Sequence, residues 1–296
     1  MGSTKTGRAL SRVASKHLRP GTVMTKAHPV APSLATSNWG KFDHTVMVLQ
    51  GGGALGAYQA GIYAGLAEAG VAPDWIAGVS IGAINAALIA GNPPERRVAR
   101  LREFWERVSA HAPFVPPVSL DAMRPIFNFM SAASSVAFGV PGFFAPRLAP
   151  PFTVSEEHLN TLSLYDTQPL GATLEQLIDF DLISSKAVRL SLGAVNVRSG
   201  NSVYFDNGKT RIGPEHVMAS GALPPGFPAV QIDGEWYWDG GISCNSPLWY
   251  VVDEDYRKRR GAAVLICAIG DAKVVPTILS SGNHFGIRRE ASVGNA

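Results

Sequence analysis

Cysteine is nearly absent from this chain: two residues in 296 build neither a disulfide framework nor, by themselves, a structural zinc site. Acidic residues are missing altogether from the first 42 positions, which carry seven basic ones (Lys5, Arg8, Arg12, Lys16, Arg19, Lys26 and Lys41). No apolar h-region follows those charges, which excludes a secretory signal peptide. Charge is sparse throughout, at 17% of residues, and between Arg124 and Arg147 there is none for 22 positions. A membrane-spanning helix needs about 20 predominantly apolar residues; here Asn128, several serines, Gly139, Pro141 and Gly142 break the stretch up. What is present is 46% hydrophobic, with 31 Gly and 21 Pro. That supply fills a sizeable core and excludes collagen-like, coiled-coil and largely disordered chains. The formal net charge of +3 hides a polarity, because beyond position 42 stand 19 basic against 23 acidic residues. A basic arm precedes a mildly acidic body.

The arm mixes Ser, Thr, Pro, Gly and Lys/Arg without a sustained apolar period, so residues 1–42 read as a disordered leader. The same composition also fits a transit peptide. Order begins at residues 45–50 (TVMVLQ), a buried parallel strand that runs into glycines. Residues 56–69 follow as a small-residue helix with Tyr58, Ile62, Leu66 and Ala69 on one stripe. Residues 75–79 form a second strand, and 82–90 a buried helix that is apolar almost all round. Residues 96–108 form an amphipathic helix with Val98, Leu101, Trp105 and Val108 inward and arginines outward. This β-α-β-α order predicts a parallel sheet with helices on both faces. Residues 110–152 then interrupt as an apolar insertion, either a mobile cap or a packed extension of the core. The pattern resumes with a helix near 171–179, strands near 187–195 and 201–205, and a helix at 214–220. Further strands lie near 229–232, 235–238 and 262–269, before an unpatterned tail.

Three short motifs carry chemistry. Gly78, Ser80 and Gly82 match G-x-S-x-G between a strand and a helix, the setting of a nucleophile elbow, with the Ser80 hydroxyl at the positive end of a helix. Gly51, Gly52, Gly53 and Gly56 form a loop between a strand and a helix, which presents backbone N–H groups to an anion. No Gly-Lys-Ser/Thr follows, so it is not a P-loop. A dinucleotide fingerprint fits the letters, yet the acid it needs should close the second strand, and Asp74 precedes that strand. An oxyanion hole built from the N–H groups of Gly52 and Gly53 is the other reading; losing one such donor typically costs roughly 3–4 kcal/mol. A serine also needs a base. His17, His28, His44, His111, His158, His216 and His284 all lack a recognisable setting. Asp239, at the end of a strand and followed by Gly240 and Gly241, is the stronger candidate, since ligands bind outside strand carboxyl ends.

In this order the motifs G-G-G-x-x-G, G-x-S-x-G about 27 residues later, and a late D-G-G resemble those of the patatin-like phospholipase family. The segment 219–228 (ASGALPPGFP) is similar to the Ala/Ser/Pro-rich segment ahead of that family's aspartate. The resemblance spans roughly residues 44–250 and implies an α/β fold, a three-layer α/β/α sandwich with a mostly parallel central sheet. It implies Ser80 as nucleophile, Asp239 as base and Gly51–Gly53 as the oxyanion loop, acting on lipid acyl esters without metal or organic cofactor. Residues 43–270 would be the catalytic domain. Within the insertion 110–152, Phe114, Ile126, Phe127, Phe129, Phe138, Phe143 and Phe144 would supply an acyl groove. Residues 271–296 would be a tail, cut short relative to bacterial relatives that continue further. Many members carry Arg or Lys in the glycine loop where this chain has Leu55, which removes a charge but leaves the backbone donors. The expected partner is a lipid or acyl-ester substrate, with no nucleic acid. The expected location is cytoplasmic, with peripheral membrane contact through the leader and cap, each basic residue adding on the order of 1 kcal/mol at an anionic surface. The alternatives are a nucleotide-binding oxidoreductase using the glycine loop and a non-catalytic lipid-binding module.

Overall fold

The run TVMVL lies in β1 (His44–Leu49), and it lacks polar alternation because both of its faces are covered. Met47 and Leu49 belong to the larger apolar cluster, whereas Val46 and Val48 meet Trp75, Ala77 and Val251 on the opposite side. His44, read as preceding this strand, is its first residue and pairs with Ala263. The computed structural model describes residues 44–109, 124–147, 162–258, 263–268, 277–282 and 284–285; the predicted leader lies outside them.

After β1 come a single 3₁₀ turn (Gly53–Leu55), α1 (Gly56–Glu68), β2 (Trp75–Val79), α2 (Ile81–Ala90) and α3 (Pro94–Ser109). Next are α4 (Arg124–Phe138), the short β3 (Ala145–Pro146) and β4 (Tyr165–Asp166), α5 (Gln168–Leu177) and α6 (Phe180–Ser184). Then follow β5 (Arg189–Asn196), β6 (Ser202–Asp206), α7 (Pro214–Ser220), β7 (Val230–Ile232), β8 (Glu235–Asp239) and α8 (Leu248–Lys258). The chain closes with β9 (Ala263–Ala268), β10 (Thr277–Gly282) and β11 (His284–Phe285). The sheet order is β11-β10-β9-β1-β2-β5-β8-β7, with β6 also on β5. Strands β9, β1, β2 and β5 are mutually parallel, and antiparallel strands extend the sheet at both ends. This is the expected α/β fold with a parallel centre. The tail is not unpatterned: β10 is a strand because it pairs with β9 from Thr277 opposite Cys267 onward, a long-range partner that its own sequence does not announce.

Helix α1 is rotated from the predicted stripe. Tyr58 is 46% exposed, and the buried side chains are Gln59, Tyr63 and Leu66. Gln59 turns inward because its Nε2 donates to the Gln50 carbonyl at 2.6 Å and its Oε1 accepts from Asn85 Nδ2 at 3.0 Å. In a helix of small apolar residues, two buried hydrogen bonds outweigh the weak apolar contrast, since an unmade one costs about 1–3 kcal/mol. Arg97 likewise departs from the outward arginines of α3: it is buried and donates through Nε to the Asn92 carbonyl at 2.9 Å.

The insertion is packed at its far end. Phe143 and Phe144 join Phe104, Tyr165 and Phe227 in an aromatic cluster with centroids 4.7–6.3 Å apart, while Phe138 at the end of α4 is 81% exposed. Phe114 and the side chains of Ile126, Phe127 and Phe129 lie outside the described residues. Among the described residues no helix is long and apolar enough to cross a membrane.

Strand β5 positions the site. One of its edges is taken by β6 over residues 191–195. On the other edge β2 pairs as far as Gly193, opposite Val79, and β8 takes over at Ala194, opposite Asp239. Because β2 is parallel to β5 and β8 antiparallel to it, the carboxyl ends of β2 and β8 meet head to head.

Candidate active site

Ser80 lies where β2 gives way to α2, with φ 56° and ψ −126°. A non-glycine residue held there stores on the order of 1–3 kcal/mol, the strained turn that G-x-S-x-G calls for. The flanking glycines act by close approach rather than by unusual dihedrals. A Cβ on Gly78 would sit 2.4 Å from the Gly82 carbonyl oxygen, and one on Gly82 would sit 2.2 Å from that of Leu49. Both collisions are with backbone, so no side-chain rotation relieves them.

The Ser80 side chain faces the Asp239 carboxylate closely enough to favour its charged form. Asp239 is 2% exposed, and its Oδ1 accepts the Gly241 N–H at 2.7 Å. Burial pushes its carboxyl above the ordinary carboxylate range, against the lowering effect of the Ser80 side chain and the Gly241 N–H. Its own N–H donates to the Ala222 carbonyl at 3.0 Å. Gly240 is required for approach as well, since a Cβ there would come 2.5 Å from the Gly193 carbonyl oxygen.

The glycine loop reaches the same place. A Cβ on Gly51 would be 3.0 Å from Ser80 Cβ and 2.2 Å from Asn245 Oδ1. The Gly51 N–H is committed to the Asn245 carbonyl at 3.1 Å, and Asn245 Nδ2 donates back to the Gly51 carbonyl at 3.2 Å. Among the described residues, that leaves the Gly52 and Gly53 N–H groups without an acceptor at the start of the turn into α1. Gly53 has φ +56° with nothing near its Cβ position, so there the glycine serves conformation. Gly56 lets α1 close onto Ile81 and Trp105.

Two contacts were not foreseen from the sequence. Ser220, fully buried at the end of α7, accepts the Ser80 N–H at 3.0 Å and donates to the Gly193 carbonyl at 2.6 Å. Asn245 joins the glycine loop to the loop after Asp239. Ser220 falls in the segment 219–228 noted for its family resemblance, which was the one available signal. Asn245 had none, because its partner lies 194 residues away in sequence.

Asp74 stands at the opposite end of the sheet. Its N–H donates to the Thr45 carbonyl and its Oδ2 accepts from the Thr45 N–H at 2.9 Å. The five residues of β2 put roughly 16 Å of strand between it and the glycine loop. His44 opens β1 at the strand end remote from the glycine loop, and His216 is buried on α7, edge-on to Phe205 at 4.7 Å, so neither joins the site as a base; His284 stands in β11. Among the described residues no group of three or more His, Cys, Asp or Glu could hold a metal ion.

The architecture is that of α/β proteins which seat a serine on a strand-to-helix elbow at the end of a parallel sheet. The model of the family described as patatin-like phospholipase matches residues 47–252, and the chain belongs to that family, one of lipid acyl hydrolases. Among solved structures, the crystal structure of VipD from Legionella pneumophila is similar at 18% identity and a TM-score of 0.36, over 75% of this chain and 52% of that one. The chain thus spans about half of that protein's length. No curated protein sequence matches it.

Proposed function

We propose that this chain is a carboxylic-ester hydrolase of lipid acyl groups, working through Ser80 and Asp239. The observation that carries the reading is the strained elbow serine set beside a buried carboxylate whose proton affinity burial has raised. Asp239 takes the Ser80 hydroxyl proton as Oγ attacks the ester carbonyl. The Gly52 and Gly53 N–H groups receive the developing oxyanion. The C–O bond to the alcohol breaks, the alcohol leaves with the proton held on Asp239, and the acyl group stays on Ser80. Water, deprotonated by Asp239, then attacks the acyl-enzyme and releases the fatty acid. A lipid substrate is supported by the apolar frame of the site. Half-exposed Leu55, Leu223 and Ile242 lie on the glycine loop, next to the Ala222 carbonyl that holds Asp239, and three residues beyond Asp239.

The reading is tested by fatty-acid release from p-nitrophenyl butyrate and from phosphatidylcholine vesicles, alongside a titration with NAD and NADP. Ester turnover without nucleotide binding is expected. Nucleotide binding with no turnover would replace the hydrolase by the oxidoreductase reading, although Asp74 sits at the wrong end of β2 to hold a ribose. Vesicle binding with no turnover would leave a lipid-binding module.

A further inference from the structure

We infer that Ser220 is a positioning residue for the nucleophile, acting through the backbone of Ser80; this rests on the role proposed for Ser80. The Ser220 hydroxyl has two protein partners and one proton. Gly193 offers only a carbonyl, so the hydroxyl must donate there, at 2.6 Å. Its lone pair is thereby aimed at the one remaining partner, the Ser80 N–H at 3.0 Å. The direction of both bonds is fixed by the chemistry of the groups, with no freedom for the hydroxyl to turn.

The consequence is geometric. Gly193 is the residue of β5 that faces Val79, and its neighbour Ala194 faces Asp239. Ser220 therefore ties the elbow amide to the point on β5 where the carboxyl ends of β2 and β8 meet, and so fixes Ser80 relative to Asp239. It braces from the N–H side an elbow at φ 56° whose carbonyl is already held by the Ala83 and Ile84 N–H groups. It also occupies the Ser80 N–H, which withdraws that amide from any oxyanion hole and leaves this task to the glycine loop. The residue is fully buried and its hydroxyl is spent on two backbone partners, so its effect is on placement and not on proton transfer.

The test compares Ser220→Ala, Ser220→Cys and Ser220→Thr with the unaltered protein. The measurements are kcat and KM on p-nitrophenyl butyrate, the rate of fluorophosphonate labelling, and Tm. Loss of both bonds in Ser220→Ala is expected to lower kcat and the labelling rate about 10- to 100-fold, the range a displacement of about 1 Å produces, with KM within about twofold. Ser220→Cys keeps the packing but offers sulfur as a weak acceptor, and is expected to fall in the same direction should the alanine variant not fold. Ser220→Thr restores the hydroxyl and is expected to recover most of the rate. Labelling and kcat unchanged in folded Ser220→Ala or Ser220→Cys, with only Tm lowered, would reduce Ser220 to a packing residue and overturn the inference. Absence of labelling in the unaltered protein would overturn it together with the hydrolase reading, which separates the two failures.

Discussion

Ser80→Ala is expected to reduce fatty-acid release by on the order of 10⁵–10⁶-fold, the scale seen when a covalent nucleophile is removed. Every later step needs the acyl group on Oγ, so deleting one oxygen leaves only what the glycine loop and substrate binding contribute. The fold should be untouched. Alanine at φ 56° is no worse placed than serine, and its Cβ fills the same space. The change also takes from Asp239 one of the two neighbouring polar groups that stabilise its charged form, so that carboxyl should shift still further above the ordinary range. Circular dichroism and Tm near those of the parent, with turnover at background, are the expected pair of results. Retained turnover would remove Ser80 from the chemistry.

Asp239→Asn is expected to lower kcat by about 10³–10⁴-fold, at the upper end of what a positioned base contributes. The amide keeps the shape, and its oxygen still accepts the Gly241 N–H, but nothing remains to take the Ser80 proton. The parent's pH profile follows from the same group. Asp239 must be ionised to act, so kcat/KM should rise with pH along a limb displaced upward from the ordinary carboxylate value of about 3.9. Asparagine should abolish that limb. Stability runs the other way. A folded-state carboxyl raised by burial binds more protons than the unfolded one, so stability falls as pH rises through the window between the two values. At neutral pH the charged, buried Asp239 therefore weakens the fold, and Asp239→Asn is expected to raise Tm while removing activity. A base and a purely structural carboxylate make opposite predictions here. A structural one would lose Tm on substitution and leave the pH limb in place.

Much of this arrangement was legible in the sequence because the information was local. The apolar run before Gln50, the helix after Gly82 and the G-x-S-x-G elbow each declare themselves within about ten residues. Long-range pairing was not legible. Asp239 does end a strand, as its setting in the sequence predicts, but β8 runs antiparallel along the edge of β5 vacated by β2 and is not one of the parallel strands. Strand β10 depends on β9 for its identity, and Ser220 and Asn245 act on loops distant in sequence. The rotation of α1 escaped because Gln59 counts as polar in any periodicity, although its amide is satisfied inside. Leu55, noted as lacking a charge, stands exposed beside the site.

The central claim is that Ser80 is activated by Asp239, and covalent labelling tests it most directly. A fluorophosphonate reacts with an activated serine by losing fluoride and leaving a phosphonyl group on Oγ. The expected result is a single adduct on the peptide carrying Ser80, formed more slowly as pH falls through the raised Asp239 carboxyl and not formed in Asp239→Asn. An adduct on another serine, or one on Ser80 that forms equally fast without the Asp239 carboxylate, would contradict the account.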